Sequence, residues 1–196
     1  MIFIPYTSKF PKLSRHPKGK LQEKHLAEVK KRVNELKDHP GLMAWYLADE
    51  PDKEYWQHER LRKIYETVKQ ADPNHPCIIT NNSAHETRYY HDCCDILAPD
   101  PYPRFEPGGY SSRGISRVSG YVRAAVEAGK GKTGAWVVLQ AFAFSDRMSR
   151  FPDRVPNFTE LRNMLYQAVI SGAKGISAFT YYERANHAEF ELGFGY

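Results

Sequence analysis

Short apolar runs alternate with segments of helical period along this chain, and that alternation constrains the fold more than any other feature. The runs are Met1–Tyr6, Leu42–Ala48, Cys77–Asn81, Asp95–Ala98, Ala135–Gln140 and Gly175–Tyr181. Most are near-continuous apolar stretches, the pattern of parallel strands buried on both faces. Between them, Leu26, Val29, Val33 and Leu36 form one helical stripe, which His39-Pro40-Gly41 stops. Leu61, Ile64, Tyr65 and Val68 form a second, ended by Asp72-Pro73-Asn74. Val118, Val122, Ala125 and Val126 form a third, ended by Gly129. Leu161, Leu165, Ala168 and Val169 form a fourth, with Asn157 and Glu160 spaced as a capping box at its start. The stretch from Asn82 to Asp92 leaves room for only a few helical turns.

Strand and helix in regular alternation specify right-handed βαβ units and a parallel sheet. A doubly wound nucleotide fold requires a glycine-rich turn after an early strand. No run is followed by G-x-G-x-x-G, and Gly129-Lys130-Gly131-Lys132-Thr133 precedes a strand, so it reads as a helix-end turn. The expected fold is therefore a TIM-type (β/α) barrel, in which eight strands take about 250 residues. Six runs are countable here, which predicts strands three to eight and a single partial barrel domain over residues 1–196. An unusual smaller sheet is the alternative.

Composition narrows the function classes. Hydrophobic residues make up 41% and charged ones 26%, so the chain has enough apolar content for a core. No apolar run approaches the roughly 20 residues of a membrane span, so no membrane partner is expected. Met1–Tyr6 is too short for the core of an export signal, and secretion or a periplasmic location would require one upstream. The net charge of +5 could suggest nucleic acid. Its lysines and arginines, however, lie largely in Lys18–Lys37 and Arg60–Lys69, mixed with Glu at helical spacing, as on a solvated helix face. Nucleic acid is not expected as a partner. Cys77, Cys93 and Cys94 lack metal-finger spacing and read as small buried residues, so neither a structural metal nor a cofactor is expected.

Barrel enzymes place their chemistry at the C-terminal ends of the strands. In chain order those ends carry Tyr6 and Thr7, Asp49 and Glu50, Asn81 and Asn82, Asp100 and Tyr102, Gln140 and Phe142, and Tyr182 and Glu183. Carboxylates there suit proton transfer to a glycosidic oxygen and stabilisation of an oxocarbenium ion. Amides and tyrosines suit sugar hydroxyls, and aromatic faces suit the apolar face of a sugar ring. Asp49 and Glu50 could instead simply open the following helix, where acids suit the dipole and Pro51 the first turn. Strand alternation would turn Asp49 and Glu50 to opposite faces.

Trp45-Tyr46-Leu47-Ala48-Asp49-Glu50-Pro51-Asp52, after His39-Pro40-Gly41, resembles the fourth-strand segment of clan A-type barrel glycoside hydrolases, the beta-galactosidase-like branch included. Ala98-Pro99-Asp100-Pro101-Tyr102-Pro103 is similar to their sixth-strand end, and Ala168 through Tyr182 to their last helix and eighth strand. The resemblance implies a carbohydrate substrate, Glu50 as general acid/base, and Asp49 shaping its field and binding a substrate hydroxyl. It also implies a nucleophilic Glu at the seventh strand end, where this chain carries Gln140. An amide cannot form the usual glycosyl ester, which leaves Asp100 and Glu183 as candidates for the second carboxyl. Asn81, Tyr102, Gln140, Phe142 and Tyr182 are the expected substrate contacts. Two alternatives stand beside hydrolysis of O-glycosidic bonds. One is a non-catalytic carbohydrate-binding barrel, and the other is a barrel enzyme of another class holding a divalent metal on Asp49 and Glu50.

Overall fold

The computed structural model describes residues 21, 23–51, 58–105, 113–144, 154–179 and 190–193. Five of the six expected strands fall among them: β1 (Trp45–Asp49), β2 (Cys77–Thr80), β3 (Ile96–Leu97), β4 (Gly134–Gln140) and, after an insertion, β6 (Gly175–Phe179). The run Met1–Tyr6 lies outside the described residues. Every neighbouring pair in the order β1-β2-β3-β4-β6 is parallel, so the strands form a half-barrel, part of a TIM barrel. Among the described residues four α-helices cover one face: α1 (Glu23–Leu36), α2 (His58–Ala71), α3 (Arg117–Gly129) and α4 (Phe158–Ile170). The short Asn82–Asp92 connection holds only a 3-10 helix, Glu86–Tyr89.

Each face of the sheet follows from strand alternation. Trp45, Leu47, Cys77, Ile79, Leu97 and Ala135 pack outward against Val29 and Val33 of α1 and Leu61, Ile64 and Val68 of α2. Fully burying each large apolar side chain of this layer contributes about 1.5–3 kcal/mol. Val137 and Leu139 of β4 pack outward against Val118 and Val122 of α3 and Met164 and Ala168 of α4. Ala44, Tyr46, Ile78, Ile96, Ala98, Trp136 and Val138 line the concave face. There the Trp136 ring lies where any Cβ on Gly175 would have to sit, 2.3 Å away, so this strand start must be glycine.

β1 departs from simple alternation. Tyr46 pairs with Ile78 but Ala48 with Ile79, so Leu47 is the extra residue of a bulge. Leu47 and Ala48 consequently both point to the helix layer. The phase shift returns Asp49, paired with Thr80, to the concave side that Tyr46 occupies.

Four further features differ from the sequence expectation or sharpen it. Beyond Gln140 the chain continues as β5 (Phe142–Phe144), which pairs antiparallel with β7 (Phe190–Gly193) in a separate two-stranded sheet. The stripe on α4 holds in part: Ala168 is buried and Leu161 packs on the same core, but Met164 completes it while Leu165 and Val169 are exposed. Positions 164 and 168 are the ones that α3 and β4 meet, and 165 and 169 lie one step further round the helix. The Asn157–Glu160 capping box is present in both directions, and Arg154 holds the same glutamate through two 2.7 Å bonds. The Gly129–Thr133 turn follows α3, with Lys130 and Gly131 both at positive φ.

Candidate active site

The C-terminal end of β1 carries the chain's most conspicuous carboxylates. Glu50 leaves the strand in the left-handed region, with φ of 43°, where its N–H still donates to the Thr80 carbonyl at 2.9 Å. A non-glycine residue held there carries strain of about 1–3 kcal/mol, which a site tolerates when the conformation aims a side chain. Here the side chain is aimed at β2: Asn82 Nδ2 donates to Glu50 Oε1 at 2.7 Å. Asp49, restored to the concave side by the bulge, has Oδ1 2.8 Å from the Tyr46 hydroxyl, which also lies 2.6 Å from Thr80 Oγ1. Strict alternation would have set Asp49 and Glu50 on opposite faces. The bulge and the left-handed turn instead bring both toward the end of β2.

The ends of β2 and β3 meet this pair. Asn81 is completely buried, and neither polar atom of its side-chain amide has a partner among the described residues. Its carbonyl accepts from the Asp100 N–H at 3.1 Å. Asp100 is buried too, and its carbonyl accepts from the Tyr102 N–H at 2.8 Å, so it is a turn residue between prolines as well as a rim acid. Burial, and then the charges of Asp100, Asp49 and Glu50 with the neighbouring Tyr46, hold the Tyr102 phenol well above its ordinary range. Tyr102 therefore remains a neutral donor in the combined field of three carboxyl groups.

At the end of β4 the geometry is different. Gln140 is fully buried, with Oε1 accepting from the Arg104 N–H at 3.0 Å and Nε2 donating to the Phe142 carbonyl at 2.8 Å. The amide thus stitches the 103–105 loop to the start of β5. Phe142 is fully buried as well, edge-on to Tyr102, Phe144 and Phe179 at 5.0, 4.6 and 5.6 Å. That enclosure packs its ring inside the rim, while Tyr102 and Phe144 are half-buried and Phe179 is exposed. Arg104, itself at φ of 60°, lays its guanidinium over Phe144 at 4.7 Å. Tyr182 and Glu183 lie outside the described residues.

The structure thus brings Asp49, Glu50, Asn81, Asp100 and Tyr102 to one end of the half-barrel and gives Gln140 and Phe142 structural bonds there. Tyr46, Thr80 and Asn82 join them. Sequence reasoning named Asn82 only as a strand-end residue. Its adjacency to Asn81 was the one available signal. Among the described residues, the rim carboxylates do not converge as three or more close metal ligands, so the described rim offers the metal-dependent alternative no cluster.

Comparison with known proteins places this geometry. Residues 9–105 match the family described as glycosyl hydrolases family 2, TIM barrel domain. A beta-galactosidase from the psychrophilic Marinomonas ef1 superimposes with a TM-score of 0.67 at 11% identity, over 85% of this chain and 38% of that one. The beta-galactosidase of Bacillus circulans sp. alkalophilus gives 0.66 at 12% identity, over 87% and 35%. An uncultured Clostridium sp. beta-glucuronidase gives 0.56 at 16% identity, over 92% and 34%. The chain spans about a third of the length of these proteins, and the likeness at such identities establishes the fold. No curated protein sequence matches the chain.

Proposed function

Given that the chain carries part of the TIM-barrel domain of glycosyl hydrolases family 2, we propose that its 196 residues act as one partial barrel domain on the O-glycosidic bonds of a carbohydrate, with Glu50 as general acid/base. The observation that carries this reading is the strained Glu50 backbone together with the Asn82 bond that fixes its carboxylate at the strand end. A carboxyl there is positioned to protonate a departing glycosidic oxygen and then to take a proton from the incoming nucleophile. Asp49 is placed to accept from a sugar hydroxyl. Tyr102, kept as a phenol, is placed to donate to one. The buried amide of Asn81 supplies two hydrogen-bonding atoms that a substrate hydroxyl or a water would satisfy.

The second carboxyl is where this chain departs from its family pattern. Because both ends of the Gln140 amide are engaged by backbone, position 140 contributes structure to the proposed site, and Asp100 or Glu183 is the proposed partner of Glu50. Retention and inversion require carboxyl separations of about 5–5.5 Å and 6.5–9.5 Å respectively. A second reading, a carbohydrate-binding barrel without turnover, is favoured by the same Gln140 geometry.

Glu50→Gln tests the proposal. General acid catalysis is worth about 10²–10⁴-fold, so the loss should be largest for glycosides with poor leaving groups and small for an activated aryl glycoside. Equal losses on both, or none, remove Glu50 from the role. Product stereochemistry by NMR, with Asp100→Asn and Glu183→Gln alongside, identifies the partner. Sugar binding without hydrolysis in the parent selects the binding barrel.

A further inference from the structure

Away from the strand ends, in the helix-covered layer, His58 meets the adjacent pair Asp92-Cys93 from across the sequence. His58 at the start of α2 places Nε2 2.6 Å from Asp92 Oδ1, and Cys93 Sγ is 3.5 Å from the same oxygen. All three ligand atoms lie within 4.8 Å of one another. The His58 and Asp92 side chains are 38% and 35% exposed, whereas Cys93 is fully buried. The thiol is therefore buried beside an imidazole and a carboxylate that are partly exposed to solvent. We propose that His58, Asp92 and Cys93 form a binding site for a thiophilic divalent cation of the zinc class.

The donor set is the first support. Imidazole, carboxylate and thiolate together suit a borderline-soft ion, and the exposed side leaves a fourth position for water. Geometry is the second. Ligand bonds of about 2.0–2.3 Å in a tetrahedron put donor atoms roughly 3.3–3.7 Å apart. The Cys93–Asp92 spacing already satisfies that, and the His58–Asp92 contact must open by about 1 Å. Charge is the third. On binding, the Cys93 thiol releases its proton to solvent and neutral His58 coordinates through Nε2. The cation's two positive charges then meet one thiolate and one carboxylate, leaving a neutral centre. Arg62 approaches Asp92 from the other oxygen, Oδ2, at 3.5 Å, and is itself paired with Glu66 at 3.1 Å. An ion pair between His58 and Asp92 accounts for their contact alone. The neighbouring Cys93 thiol reaches the same carboxylate oxygen and, at 3.7 Å, the His58 carbonyl, so all three residues meet at one point.

Without a cation, burial and then the Asp92 charge keep the Cys93 thiol protonated, so it is inert as a nucleophile. A bound cation would reverse that preference, because a coordinating thiol is deprotonated. The role is structural: the ion would fasten α2 to the segment that leads into β3.

Cobalt(II) titration of the 196-residue chain tests the site, since a thiolate ligand gives a charge-transfer band in the near ultraviolet. The expected result is one cobalt per chain, displaced by zinc, with Cys93→Ser and His58→Gln each weakening binding on the order of 100-fold. His58 is partly exposed, so His58→Gln decides the matter should Cys93→Ser fail to fold. No band in the folded parent, or one that persists unchanged in His58→Gln, overturns the site.

Discussion

The two ends of the half-barrel sheet use carboxylates in opposite ways. At the N-terminal end each acid is bound to the elements it joins. Asp72, buried after α2, accepts from Trp45 Nε1 at 2.8 Å, His75 Nδ1 at 2.7 Å and the Asn74 and His75 N–H groups. Asp95 accepts from the Tyr65 hydroxyl at 2.9 Å and the Cys77 N–H at 2.8 Å, with Lys69 at 3.2 Å. At the C-terminal end Asp49, Glu50 and Asp100 instead crowd into one neighbourhood, close enough that Tyr102 feels all three. The first arrangement closes a structure, and the second concentrates like charge at the rim. Barrels in general divide stability and chemistry between these two ends.

The largest effect that would sharpen this contrast is expected at Trp45. Trp45→Ala should lower unfolding free energy by about 3–5 kcal/mol, because it empties a fully buried site and removes a donor from Asp72. Urea denaturation measures it, and sugar binding per folded molecule should be unchanged.

A smaller effect is expected at Asp72. Burial alone raises its pKa, but hydrogen bonds from Trp45, His75 and Asn74 hold it below the ordinary aspartate value. A folded-state pKa below the unfolded one stabilises at all pH above the unfolded value, about 3.9, and the contribution fades as pH falls through the lower folded value. Asp72→Asn should therefore cost about 1–3 kcal/mol at neutral pH. Its melting curve should converge on the parent's in that acid window. A gap that stays constant with pH would show that the charge is not what matters.

The smallest effect is expected at the opposite end. Asp49 is exposed, and Asp49→Asn relieves like charge, so stability should change by no more than about 0.5 kcal/mol. Any turnover should fall nonetheless. Should Asp49→Asn destabilise the fold as much as Asp72→Asn, the division between the two ends is wrong.

Much of the frame could be read from residue order, because strand and helix periods are local. Alternation marked five strands that the structure contains, and the Asn157–Glu160 capping box needed only its own spacing. The stripe of α4 was legible only in part: Leu161 and Ala168 face the core, but Leu165 and Val169, as apolar as Met164, are exposed while Met164 is buried. Only the neighbours α3 and β4 decide which pair is covered. The β5–β7 pairing escaped because its two halves lie far apart in the chain. The same holds for His58, Asp92 and Cys93. Spacing rules find ligands on one turn or hairpin, and this set is assembled by packing α2 against another segment.

By itself the sequence determined that β-runs and helices alternate. That fixes a parallel sheet and delivers Asp49, Glu50, Asn81 and Asp100 to the same end of it. It also showed that Gln140 stands where the resembled family carries a carboxylate. Where these side chains point was left to tertiary structure. The bulge at Leu47 exists only in the register between β1 and β2 and resets the phase that sends Asp49 to the concave side. The left-handed turn of Glu50 is held by bonds from its N–H to Thr80 and from Asn82 to its carboxylate, residues thirty or more positions away. The Gln140 amide is occupied because the backbones of Arg104 and Phe142 converge on it. Local periodicity sets which residues reach a strand end, and contacts between distant strands set what each can do there.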